Sequence, residues 1–234
     1  MIRVSFIFAR NLVTLCLVAA TLAPAQPKLA VDKMNIDLGV IYNGAVKKAR
    51  ISVRNAGTDT LRILGVQTSC GCTAAKQPKS ALRPGESDVV EVEFNSTGFR
   101  GKIHKTVTIQ TNDPKSPAVN VAIIGDVVDE LVPLQGASAV WLGSLQTGKE
   151  VEHRVGFKNV SGKTITLRGF KSTSPTITVQ MDQKTVQPAD SIFVIIKITP
   201  LKTDYTSEQI TLETDSNKQT HVPMRVTFTG IKPS

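Results

Sequence analysis

The sequence predicts an all-β chain made of two like sandwiches, and three observations carry that expectation. Apolar and polar residues alternate with a period of two, the pattern of half-buried strands. Turn-forming clusters interrupt the alternation every ten or so residues. Laid against itself at an offset of about 104 residues, the chain brings Leu38-Gly39 onto Leu142-Gly143, Asn55 onto Asn159, Gly65 onto Gly169 and Pro84 onto Pro188.

In the first copy Ile51 and Val53 share a face against Arg50, Ser52 and Arg54. Val90, Val92 and Phe94 oppose Glu91 and Glu93, and Val107 and Ile109 oppose Thr108 and Gln110. The breaks are Asn55-Ala56-Gly57, Leu82-Arg83-Pro84-Gly85-Glu86 and Asn112-Asp113-Pro114-Lys115-Ser116-Pro117, whose prolines suit connections and sheet edges. The second copy repeats the pattern with Val155 and Phe157, Ile165 and Leu167, Ile192 to Ile198, Ile210 and Leu212, then Val222 to Phe228. About seven short strands per copy is the signature of an immunoglobulin-like β-sandwich. The seam is expected around Asp129 to Ala139, where Val-Pro-Leu-Gln-Gly-Ala-Ser breaks the strand pattern. The expected domains are therefore residues 26–129 and 130–234, each large enough to bury its own core.

Residues 1–25 read as a secretory signal peptide. Arg3 and Arg10 give a basic start, Leu12 to Leu22 is an apolar run too short to span a membrane, and Ala23 and Ala25 supply small side chains for cleavage after Ala25. Cys16 lies inside that run behind Leu15, which disfavours a lipid anchor. No second apolar run follows, so no stable membrane insertion is expected of the exported chain. Losing Arg3 and Arg10 from 28 basic residues leaves 26 against 19 acidic ones. The bases are scattered; the densest patch, Arg100 to Lys105, lacks interleaved aromatics, and with one Trp and two Tyr overall no nucleic-acid partner is expected. An anionic envelope surface remains compatible with the charge.

Both cysteines left after export sit in Ser69-Cys70-Gly71-Cys72-Thr73, at the end of an apolar stretch running Thr60 to Thr68. An extended i, i+2 pair has Cα atoms roughly 6.5 Å apart, near the upper limit for a disulfide, and a bend at Gly71 closes that gap. The ring is small, so it removes little unfolded-state entropy and favours an oxidising potential. Three readings of Cys70 and Cys72 compete: a local disulfide shaping a loop, a soft-metal site for copper(I), and a thiol-redox pair. Zinc needs further ligands, and His104 is the one other donor in this copy. Arg62, Lys76 and Lys79 are the cations that would lower a thiol pKa if the fold brings them close. The second copy has Thr173-Ser174-Pro175 at this position, so folding does not demand the pair.

Elsewhere the chemistry is sparse. His104, His153 and His221 are isolated, and His104 alternates outward. The sequence has no nucleophile elbow, no His-Glu-Xaa-Xaa-His, and neither a phosphate-binding nor a dinucleotide glycine loop, so no enzyme activity and no cofactor is expected. Asp126, Asp129 and Glu130 cluster at the seam, with Asp113 and Asp215 in turns; calcium needs about six converging oxygens, so turn chemistry explains them better. Asn95-Ser96-Thr97 and Asn159-Val160-Ser161 fit the glycosylation acceptor pattern.

Leu38-Gly39, Val53-Arg54-Asn55-Ala56-Gly57, Ser69-Cys70-Gly71-Cys72-Thr73, Leu82-Arg83-Pro84-Gly85-Glu86 and Thr111-Asn112-Asp113-Pro114, in that order, resemble a bacterial exported family, the domain of unknown function numbered fifteen-seventy-three. The likeness runs from Leu38 to about Val128 and implies an immunoglobulin-like sandwich related to major-sperm-protein and Hydin-type domains, with no established activity. The second copy matches loosely and departs at the cysteine motif. The expected function is a non-catalytic exported protein-binding or scaffold module of the bacterial envelope, acting through sandwich edges and rim loops. The alternative is a small thiol-redox or copper(I)-handling protein using Cys70 and Cys72.

Overall fold

The computed structural model describes residues 25–71, 73–135 and 139–233. The expected signal segment thus lies outside the described residues, save Ala25, which is exposed ahead of the first strand. No helix occurs among the described residues.

The first nine strands are β1 (Leu29–Val31), β2 (Asn35–Tyr42), β3 (Val46–Asn55), β4 (Leu61–Thr68), β5 (Thr73–Lys76), β6 (Ala81–Leu82), β7 (Ser87–Asn95), β8 (Gly101–Thr111) and β9 (Ala118–Val128). They form two sheets, β1-β3-β7-β5 and β2-β9-β8-β4-β6. The next nine are β10 (Leu131–Pro133), β11 (Ala139–Gln146), β12 (Val151–Asn159), β13 (Ile165–Ser172), β14 (Ile177–Met181), β15 (Thr185–Val186), β16 (Ser191–Ile198), β17 (Tyr205–Thr214) and β18 (His221–Ile231). Their sheets, β10-β12-β16-β14 and β11-β18-β17-β13-β15, repeat the first pair strand for strand. Even the unusual feature recurs: β2 runs parallel to β9, and β11 runs parallel to β18.

The alternation does what the sequence promised. Ile51, Val53, Val90 and Val92 from one sheet meet Leu61, Val107, Ile109 and Ile123 from the other, all buried. Phe157, Val194, Leu167, Ile210, Leu212 and Val226 fill the second interior. Among the described residues each unit has nine strands where seven were expected, because the two- and three-residue pieces β1, β6, β10 and β15 are too short to show a period. A short strand lies within the expected seam. Val132 and Pro133 belong to β10, which pairs with β12, while Asp129 and Glu130 lie between β9 and β10 and Leu134 and Gln135 turn away after β10. Pro133 ends an edge strand, where its missing donor costs nothing.

The repeated Asn is a structural pin. Asn55 is wholly buried, and its amide donates to the carbonyls of Asp59 (2.7 Å) and Leu82 (2.9 Å) while Oδ1 accepts from Gly57 N (2.9 Å). Asn159 does the same with Lys163 (2.6 Å), Val186 (3.1 Å) and Ser161 N (3.0 Å). Gly57 lets this turn touch the incoming chain, since a Cβ there would lie 2.2 Å from the carbonyl oxygen of Gln26.

One position breaks the repeat's logic. Gly85 has φ +81°, and its counterpart Ala189 holds φ 67°. A left-handed Cβ costs roughly 1–2 kcal/mol, partly offset by glycine's larger unfolded-state entropy, so Ala189→Gly is expected to raise stability by about 0.5–1 kcal/mol. Chemical denaturation checks it; a loss of stability would contradict the reading.

Asp113 and Asp215 lie in the corresponding β8–β9 and β17–β18 turns but are offset by one position. Asn112 Oδ1 accepts from Arg62 N (2.8 Å), and it is Asp215 Oδ1 that repeats this with Thr166 N (2.8 Å). Asp113 does something else: buried, it accepts from Leu29 N and Lys115 N, both at 2.9 Å, and so fixes the start of β1. Burial alone would raise its pKa, but the combined backbone N–H groups of Leu29, Lys115 and Ser116 hold it below the usual aspartate value. Its contribution is therefore complete above the unfolded value of about 3.9 and is lost as pH falls through the lower folded value. Acid titration of stability is expected to show a shallower low-pH loss in Asp113→Asn than in the parent, with lower stability at neutral pH; parallel curves would contradict it.

Candidate functional site

The Cys70 rim begins where β4 ends. Ser69 closes the β4–β8 ladder, its N–H donating to Thr106 O (2.9 Å) and its Oγ accepting from Thr106 N (3.0 Å). The chain then turns back into β5, with Thr73 N donating to Cys70 O at 3.3 Å. The Thr68 hydroxyl lies 3.1 Å from Cys70 O and 2.7 Å from Thr73 O, bridging both ends of the turn. Thr73 is buried, and its Oγ1 lies 3.6 Å from Cys70 Sγ. Cys70 itself is half-buried, Gly71 is exposed, and Cys70 is disulfide-bonded. The chain's other cysteines, Cys16 and Cys72, lie outside the described residues.

The second unit builds a like turn without sulfur. Thr173 N donates to Gln209 O (3.0 Å), Thr173 Oγ1 accepts from Gln209 N (2.9 Å), and Ile177 N donates to Ser174 O (3.3 Å). The fold therefore obtains its rim from flanking hydroxyls, and the cysteines are an addition to it.

The cations nearest in sequence are not gathered at this rim. Arg62 lies at the opposite end of β4, opposite Ala81 of β6. Lys79 Nζ is 2.8 Å from Glu86 Oε1, and Lys76 stands at the far end of β5, opposite Glu91. The basic run 100–105 is likewise dispersed by the fold. Arg100 Nε is bonded to the buried side chain of Asp129, and Lys105 Nζ sits 4.5 Å from the Phe99 ring centre. Phe99 in turn packs on Phe94 at 5.6 Å, above a small cluster of Ile41, Ile103 and Val127.

His104 is exposed on β8, His153 is half-buried on β12 and His221 is exposed on β18 beside Thr220. Among the described residues no three His, Cys, Asp or Glu side chains gather as metal ligands. The seam carboxylates also part company. Asp126 lies opposite Lys102 on the outer sheet face, Asp129 pairs with Arg100, and Glu130 accepts from the Ser216 hydroxyl.

The residue sequence reasoning missed is Gln219. Nearly fully buried, its Oε1 accepts from Glu130 N (2.6 Å) and Leu131 N (3.2 Å), while Nε2 donates to Asp129 Oδ1 (3.0 Å) and Asn43 O (3.3 Å). One amide thus fastens the β17–β18 turn to the seam and to the β2–β3 turn. A lone Gln in a polar turn carries no sequence signal for this. Elsewhere a pocket of ≈ 350 Å³ opens among Thr97, Gly98, Phe99, Pro223, Met224 and Arg225.

Residues 29–127 match the family described as "Protein of unknown function (DUF1573)". No curated protein matches the chain. Among solved structures, a protein of unknown function from Porphyromonas gingivalis W83 is 12% identical, with a TM-score of 0.37 over 86% of this chain and 99% of that one. The ASH/PapD-like domain 7 of human CEP192 is 12% identical, with a TM-score of 0.39 over 53% and 99%. The VesB protease of Vibrio cholerae is 18% identical, with a TM-score of 0.37 over 42% of this chain and 31% of the protease.

Proposed function

We propose that this chain is a non-catalytic, exported protein-binding or scaffold module of the bacterial cell envelope, with domains at 26–129 and 130–234 behind a signal peptide cleaved after Ala25. The observation that carries this reading is the state of the sheet edges. Exposed edges invite strand addition unless shortened, bulged or charged. Here β1, β6, β10 and β15 are two or three residues long, β2 and β11 carry bulges at Asp37/Val40 and Trp141/Ser144, and β5 ends in Lys76. β14 has none of these defences. It is Ile-Thr-Val-Gln-Met, uncharged and regular, paired with β16 on one side and terminal in its sheet on the other. Its docking partner would be an extended segment of another envelope protein.

Thr178 and Gln180 are the exposed residues of β14, so Thr178→Lys with Gln180→Lys charges the edge without entering the core. The pair of substitutions is expected to abolish capture of the partner that the unaltered protein retains from envelope extract, with the melting curve unchanged. Equal capture by both proteins would overturn edge binding.

A second reading has its own support, the disulfide at Cys70 beside an exposed Gly71. In it Cys70 and Cys72 form a thiol-redox pair on the rim of the first unit. A sulfur held in a disulfide offers no thiolate, so copper(I) handling would begin only after reduction. Alkylation mass spectrometry with and without mild reductant and copper tests it: thiols that stay blocked and bind no metal exclude both roles.

A further inference from the structure

We propose that the outer face of the β11-β18-β17 sheet is a carbohydrate-binding platform for an uncharged pyranose chain, centred on Trp141 and Tyr205. The two rings are 57% and 65% exposed, their centres are 6.4 Å apart and their planes differ by 22°. That separation is too long for face-to-face contact, so the rings lie offset across the sheet surface, each with a face available to a ligand.

The residues between them define the chemistry. In register, Trp141 stands opposite Thr227, which stands opposite Ser207; in the next row Ser144 stands opposite Thr229, which stands opposite Tyr205. Phe228, between the two β18 threonines, is buried inward; on the opposite face Thr229 is half-buried, and Thr227 is buried with its hydroxyl donating to the Val140 carbonyl (3.3 Å). The result is a lattice of two rows and three strands, with aromatic rings at opposite corners and the accessible hydroxyls of Ser144, Ser207 and Thr229 between them. A protein-docking patch of this kind would surround its aromatic anchors with apolar side chains that exclude water. A sugar ring instead presents C–H groups to an aromatic face and hydroxyls to hydroxyls, which is what this lattice offers. No charged residue stands in it, so the chain it takes is neutral.

The fold does not require the rings. Asp37 occupies the place of Trp141, being the last residue before the same bulge, and Lys102 occupies that of Tyr205. The first unit builds the same sheet with a charged pair there. Exposing two large aromatic rings in the second unit therefore reflects what the surface meets, not how it folds. Tyr205 also borders a mixed depression of ≈ 430 Å³, where Pro175, Pro200 and Leu201 lie beside Ser174, Asp204 and Glu208 and where a longer chain would continue. This inference is independent of strand addition at β14, which belongs to the other sheet.

Trp141 is the only Trp in the chain, so its fluorescence reports on this surface alone. Titration of the full chain with cellohexaose and with N-acetylchitohexaose is expected to give a saturable change for at least one of them. Tyr205→Lys should weaken that binding at least fivefold, whereas Lys102→Ala in the first unit should leave it unchanged. Calorimetry on Trp141→Asp, with a melting curve to confirm the fold, should show no binding. Absence of any response to both oligosaccharides at millimolar concentration overturns the proposal. So does a fluorescence shift that follows protein concentration without sugar, which would mean that a second copy covers the rings.

Discussion

Asn55→Ala is expected to destabilise the first unit by about 3 kcal/mol, because it strands the buried Leu82 carbonyl and the part-buried Asp59 carbonyl and Gly57 N–H that the side chain now satisfies. For a unit of this size that is a fall in melting temperature of more than about 12 °C. Asn159→Ala should do the same to the second unit. Calorimetry reads both, and the pair tests the duplication directly: each substitution should lower the transition of its own unit more than that of the other. A cost under about 1 kcal/mol at either site would mean that water replaces the amide and that the pin is not structural.

Gln219→Ala should cost about 2–4 kcal/mol by leaving the N–H groups of Glu130 and Leu131 without their acceptor. The loss is expected to be local. Amide exchange at Glu130 and Leu131 should rise more than tenfold while the core strands β7 and β16 keep their protection. Gln219→Glu keeps an acceptor for those N–H groups but faces Asp129 with a second carboxylate, so it should loosen the seam further as pH rises from 4 to 7. Unchanged exchange in both variants would show that the amide does not hold the seam.

The period-two pattern made the interior legible: Ile51, Val53, Val90, Val92, Phe94, Phe157 and Leu212 are all buried as their alternation demanded. The repeat offset found Asn55 and Asn159 before their bonds were visible. What stayed hidden has physical reasons. Two- and three-residue strands carry no period, so β1 and β10 read as loop. Arg100 and Lys105 read as a surface patch because sequence does not show that Asp129 and the Phe99 ring lie beneath them. Gln219 acts through four contacts, all of them 88 residues or more away in sequence, which no local pattern encodes. The aromatic pair carries no sequence signal for the same reason: Trp141 and Tyr205 are 64 positions apart, and only the strand order places both beside β18. At the rim, the sequence located Cys70 and Gly71 correctly at the end of a strand, and the hydroxyls of Thr68, Ser69 and Thr73 supply the turn that spacing alone could not specify.

Photo-crosslinking in living cells tests the binding account at its centre. A photoreactive residue placed at Gln180, on the unpaired side of the second unit's four-stranded sheet, should yield a discrete adduct with another envelope protein. The same residue at Glu152, on β12 and two strands away from β14, should yield none. Adducts from Glu152 but not from Gln180, or from neither, would contradict a module that works by offering its open strand.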